Sequence, residues 1–187
     1  SRGMWSYELK TRPRPRGRDT QVIYTTWALP ATARPHDTRV APDGSIWFNH
    51  FNDNAIGRLD PRTGETREWR WPYRAESGTF APTGARTLMG PDRRGRWYIG
   101  NQEQGGVVVF DPATETFRYG TPPGGGEMID VSASHVDGHG WRAGGGAAHR
   151  IDLETWESTT IKGPRPLVAY DIAADSRSNL YGASRGS

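Results

Sequence analysis

At 187 residues the chain is long enough for a sizeable core, yet only 34% of it is hydrophobic and it holds 24 Gly and 14 Pro, a balance suited to an all-β protein cut by many turns. The absence of cysteine excludes disulfides, thiolate catalysis and cysteine-bound zinc, and no run approaches the ~18 apolar residues of a membrane span. The net charge of +3 comes from arginines spread along the chain, so no nucleic-acid partner is expected.

Residues 1–20 read as a linker or N-terminal extension. The opening SRGMWSYELK is not a signal peptide, and RPRPRGR at 12–18 is an extended, polyproline-like stretch with solvated charges. QVIYTTWALP (21–30) has the pattern of an outermost strand that would close a blade. Residues 35–72 then read as four short strands. DTRVA runs into the turn PDG, SIWFNH into the polar loop FND, NAIGRLD into DPRTG, and ETREWR completes the set.

This unit repeats. Gly44 and Asp60 stand 16 residues apart, as do Gly95 and Asp111, and Gly138 and Asp152 stand 14 apart. With Ser178 as the counterpart of these glycines, successive units start 51, 43 and 40 residues apart. Four-stranded meanders recurring every ~40 residues, with period-two alternation and frequent Pro and Gly breaks, describe propeller blades. The expected fold is an all-β β-propeller of four-stranded antiparallel blades, at 35–72, 84–122 and 128–163, with a truncated blade at 166–187. The chain is expected to be a fragment of a six- or seven-bladed ring. Trp47, Tyr98, Trp141 and Tyr181, which recur on the second strands, are expected to pack between blades.

The turns indicate where a site belongs. PDG and DPRTG occupy one face of the blades and leave it little room. The second-to-third-strand loops and blade connections gather longer polar segments on the other face: His36 and Asp37, residues 50–54, Arg86, residues 101–104, Glu127 and Asp130, and residues 144–149. His36 and Asp37 enter the innermost strand beside the central channel. A histidine there is a candidate general base or metal ligand, or else it caps the strand start on a backbone carbonyl. His50 is a second candidate base, with a solvated loop residue as the alternative. His149 either reaches the channel mouth or sits at a strand start, while His135 and His139, at the turn, are read as structural. Glu103 and Asn101 are candidate oxygen ligands for Mg²⁺ or Ca²⁺. The glycine runs at 120–128 and 144–146 lack the strand, helix and Lys-Ser/Thr of a phosphate loop, so they are blade connections.

PHDTRVAPDGSIWF (35–48) and NAIGRLDPRTGE (54–65) resemble the repeats of the virginiamycin B lyase, or streptogramin lyase, family, whose seven-bladed propeller reads PxGI, PDGxIWFTE and NxIGRI. Where that pattern has Thr-Glu, this chain has Asn49-His50, and its second unit has Gly100-Asn101. The resemblance implies a carbon–oxygen lyase whose histidine base and glutamate-supported Mg²⁺ come from late blades beyond residue 187. It also implies a setting in large secreted bacterial proteins beside a cytochrome c or carboxypeptidase-regulatory-like domain. The expected role is therefore a ligand- or partner-binding propeller segment of a larger periplasmic or secreted protein. The alternative is a metal-dependent lyase or lactone- or ester-cleaving enzyme with its site at the channel mouth.

Overall fold

The computed structural model describes residues 13–21, 24–51, 53–72, 87–100, 106–120, 129–131, 134–167, 169 and 171–183. After a 3-10 turn at Gly17–Thr20, four antiparallel sheets follow one another in chain order. The first holds β1 (Pro35–Val40), β2 (Ile46–His50), β3 (Ala55–Leu59) and β4 (Thr66–Arg70), each paired with the next. The second repeats that order with β5 (Thr87–Met89), β6 (Trp97–Gly100), β7 (Val107–Asp111) and β8 (Thr116–Gly120). In the third, the innermost strand is reduced to an Asp130–Trp141 bridge, followed by the one-turn helix α1 (Ser134–Asp137). Its remaining strands are β9 (His139–Gly144), β10 (Ala147–Asp152) and β11 (Ser158–Ile161). The fourth sheet pairs β12 (Asp171–Ala174) with β13 (Leu180–Ala183).

The helical turn α1 was not foreseen, since a four-stranded blade was expected over 128–163. Residues 24–30, expected as a closing strand, belong to no sheet among the described residues.

Two alternating turn chemistries connect the first and second strands. In the first and third sheets an aspartate lies just before the turn glycine. Asp43 accepts from the Ser45 N–H (2.9 Å) and pairs with Arg58 (3.3 Å), while Asp137 accepts from the His139 N–H (3.0 Å) and from Arg150 (3.0 Å). The aromatic four residues after each aspartate is Trp. In the second and fourth sheets the aspartate lies three residues before the left-handed position. Asp92 accepts from the Arg94 and Arg96 N–H groups (2.9 and 3.0 Å) and from the Tyr98 hydroxyl (3.0 Å). Asp175 does the same with Arg177, Asn179 and Tyr181. In both, the tyrosine that follows turns its hydroxyl back onto the aspartate. The left-handed position is Gly44 (φ 83°), Gly95 (φ 78°), Gly138 (φ 76°) and Ser178 (φ 61°), which places Ser178 as the fourth member of the series.

Sheets pack face to face through the aromatics. Trp47 stacks on Trp97 of the next sheet (5.0 Å) and on Trp69 of its own (5.5 Å), in a core with Ile56, Leu88, Ile99, Val108 and Phe110. Tyr98 meets Trp156 of the third sheet edge-on, and Trp141 packs with Ala174 and Leu180 of the fourth. Tyr181 departs from this expectation. It is 61% exposed, because no described sheet follows β13 to cover it.

Ionic contacts bind the second and third sheets. Arg96 reaches Glu154 (2.6 Å), and Arg118 donates to the Leu153 and Glu154 carbonyls. The hydrogen bond from Arg96 holds the Glu154 carboxyl below its ordinary value of 4.5, against the opposing effect of burial. A carboxyl so depressed stabilises the fold above that value and loses its contribution as pH falls through the lower folded value. Thermal unfolding from pH 7 to 3.5 is therefore expected to show a midpoint that drops below about pH 4.5. Glu154→Gln should start lower and fall less, and a variant whose acid slope matches the parent would refute the assignment.

Candidate functional site

The loop face of the first sheet begins with an irregularity. Pro35 pairs with His50 but Thr38 with Phe48, so the register slips by one residue across His36 and Asp37. Such a bulge frees side chains from the ladder and re-aims them. Here the Asn49 side chain fills the gap. Its Oδ1, buried on β2, accepts the Asp37 N–H at 2.8 Å.

Asp37 uses its two carboxylate oxygens differently. Oδ2 accepts the Leu88 N–H of β5 (3.0 Å), tying the first sheet to the second. Asp130 binds the Ala174 N–H in the same manner between the third and fourth sheets (2.6 Å). Oδ1 of Asp37 lies 3.1 Å from His36 Nδ1. Rather than capping a carbonyl, the half-exposed His36 ring stacks on Phe51 at 4.7 Å, and its Nε2 has no partner among the described residues. The Nδ1–Asp37 approach is a close polar contact without hydrogen-bond alignment, and it leaves the Nε2 edge of His36 on the loop face.

His50 is not the solvated loop residue that its neighbours FND suggested. It ends β2 fully buried. Its Nδ1 accepts the Arg34 N–H (3.3 Å), so the neutral ring carries its proton on Nε2, which lies 3.2 Å from Glu68 Oε1 without good hydrogen-bond alignment. The cause is strand register. His50 shares a face with Phe48 and Glu68, and the Phe48 ring lies directly over Gly57, where any side chain would collide with it. Glu68 continues to Arg70 (3.9 Å), which binds Asp53 at 2.6 Å. Burial pushes the Asp53 carboxyl up, but the Arg70 guanidinium and the Asn54 N–H outweigh it and hold the group below its ordinary range.

The structure thus brings His36, Asp37 and His50 to one end of the first sheet, and adds Asn49, Phe51 and Glu68, which sequence reasoning did not select. The Asn49-His50 departure from the Thr-Glu pattern was the available signal. His149 is placed in its strand. Nε2 donates to the Gly144 carbonyl (3.0 Å) and Nδ1 accepts from the Thr160 hydroxyl (3.2 Å), so neither nitrogen is spare. His139 Nδ1 meets the Asp137 carbonyl at 2.8 Å, and His135 lies in α1. Asn101 and Glu103, the candidate metal ligands, lie outside the described residues, as do Arg86, Gln104 and Glu127. Among the described residues no group of three or more histidine and carboxylate side chains is gathered to hold an ion.

Sheets of this order and connectivity define β-propeller blades. Among solved structures the chain is similar to virginiamycin B lyase from Staphylococcus aureus (TM-score 0.60, 19% identity), covering 86% of this chain and 52% of that one. It is also similar to a catalytically inactive histidine-to-alanine variant of that lyase with quinupristin (TM-score 0.55, 18% identity), covering 80% and 55%. A third match is the extracellular domain of a hybrid two-component system protein from B. thetaiotaomicron (TM-score 0.57, 15% identity), covering 80% and 19%. At these identities the likeness establishes the fold, and the chain spans about half the length of the lyase. No protein family and no curated protein matches the chain by sequence.

Proposed function

We propose that this is the binding portion of a β-propeller in a larger secreted bacterial protein, taking a small molecule or an adjacent cytochrome c or carboxypeptidase-regulatory-like domain on the loop face. The observation that carries the reading is the mounting of His36. A bulge fixed by Asn49 presents it, Asp37, bound to the next sheet, lies 3.1 Å from its Nδ1, and Phe51 backs its ring. A half-exposed imidazole so held combines an apolar flat face with one directed hydrogen-bonding nitrogen, the pairing that small-molecule sites use. The extracellular neighbour supports the secreted setting.

A second reading is favoured by the His36–Asp37 contact itself. A carboxylate 3.1 Å from Nδ1 would favour the imidazolium formed when Nε2 removes a proton, as a lyase or lactone-cleaving reaction requires. Mg²⁺ or Ca²⁺ held at Asn101 and Glu103 would then polarise the ester carbonyl.

Quinupristin, which one neighbour holds, separates the two readings. Under the binding reading it quenches tryptophan fluorescence saturably, His36→Ala weakens it at least tenfold (about 1.4 kcal/mol), and the compound is recovered unchanged with Mg²⁺ present. A product of unchanged mass but altered retention marks elimination, and one heavier by a water marks hydrolysis; either establishes the enzyme. Wild-type protein that neither binds nor converts quinupristin removes this compound class from the site.

A further inference from the structure

The face of tight turns was expected to offer little room, yet a cavity of about 490 Å³ lies there. Its walls are Val40, Ala41 and Pro42 from the end of β1, Pro91, Asp92 and Arg93 from the β5–β6 turn, and Ser134 at the start of α1. These are the first-to-second-strand connections of three successive sheets, at the opposite end of β1 from His36. The volume falls within the ~300–1,000 Å³ usual for small-molecule sites.

Its chemistry is one-sided. Val40, Ala41, Pro42 and Pro91 give apolar walls, and Val40 is 70% exposed, an unusual position for a β-branched residue with nothing over it. Every carboxylate nearby is already paired. Asp92 is bound to Arg96 (2.7 Å) and Tyr98, Asp43 to Arg58, and Asp137 to Arg150. Arg93 is different. Its backbone N–H donates to Ser134 Oγ (3.2 Å), which anchors the main chain, and its guanidinium lies over Gly138 with no carboxylate partner among the described residues. The cavity therefore joins an apolar lining to Arg93, a lining residue whose always-charged guanidinium, at the rim over Gly138, is a fork of donors shaped for a carboxylate.

We propose that this turn-face cavity is a binding site for hydrophobic carboxylates, with the apolar body against Val40, Pro42 and Pro91 and the carboxylate on Arg93. The site is independent of the loop face. Glycine at 138 takes its left-handed backbone without strain, and it also leaves the space above the turn in which the guanidinium lies.

Decanoate below its micelle concentration is the probe, titrated into the protein by calorimetry, with decanol as its uncharged counterpart. Saturable decanoate binding at least tenfold tighter than that of decanol is expected. Arg93→Gln, which keeps the backbone bond to Ser134, should abolish that preference while leaving the weak decanol affinity unchanged. Val40→Ser, at an exposed position, should weaken both ligands severalfold, and both variants should retain the parent's unfolding midpoint. His36→Ala should leave decanoate binding unchanged, which separates this site from the loop face. Equal affinity for decanoate and decanol, full decanoate affinity in Arg93→Gln, or no saturable binding would each overturn the proposal.

Discussion

Replacing Trp47 by alanine is expected to lower unfolding stability by ~3–5 kcal/mol, among the largest effects of any single truncation in this chain. Trp47 is 4% exposed and lies where the first two sheets meet. Its ring stacks on Trp97 and Trp69 and touches Phe110 at 6.0 Å, while its Nε1 donates to Ser45 Oγ at 3.0 Å. Truncation removes the transfer free energy of the indole and leaves a void bounded by rigid aromatic planes, which cannot collapse to fill it. Urea denaturation followed by circular dichroism measures the loss. A paired Trp47→Ala and Trp97→Ala cycle should add a coupling of about 0.5–1.5 kcal/mol beyond the buried area. A loss below about 1 kcal/mol for the single variant would show that this ring does not seal the sheets.

Asp92→Ala is expected to cost ~3–5 kcal/mol, for an electrostatic reason. The Asp92 carboxylate is 1% exposed and accepts from two backbone N–H groups, the Arg96 guanidinium and the Tyr98 hydroxyl. Its removal strands buried donors and leaves Arg96 with Glu154 as its remaining carboxylate. Asp92→Asn retains an acceptor for the turn and should lose less. Asp175 makes the same backbone and tyrosine contacts in the fourth sheet, but there the neutral Asn179 amide replaces the Arg96 guanidinium and the tyrosine is exposed. Asp175→Ala should therefore lower the melting midpoint far less than Asp92→Ala. Equal losses would mean that neither burial nor the Arg96 ion pair sets the worth of this turn.

The blade pattern was legible because it is local. Turn aspartates, turn glycines and alternating strands each act within a few residues, so Gly44, Gly95 and Gly138 announced the repeat, and the spacing alone placed Ser178 with them. The loop-face position of His36 and Asp37 followed from the same logic, since a meander fixes which connections share a face. His50 was misjudged as solvated because its burial depends on β2 register and on Arg34, which lies 16 residues away. Tyr181 was misjudged because a recurrent strand position is buried only where another sheet covers it.

The sequence by itself determined the all-β class, the four-stranded unit and its repeat, because each is written in short-range turn preferences and side-chain alternation. Only the tertiary structure decided the rest. It slipped the β1–β2 register to present His36, shared Asp37 between a histidine and the neighbouring sheet, and buried His50 against Glu68. It also opened a cavity among three turns that are dozens of residues apart in the chain. Those features depend on strand register within the first sheet and on contacts between sheets, which pair residues far apart in the chain.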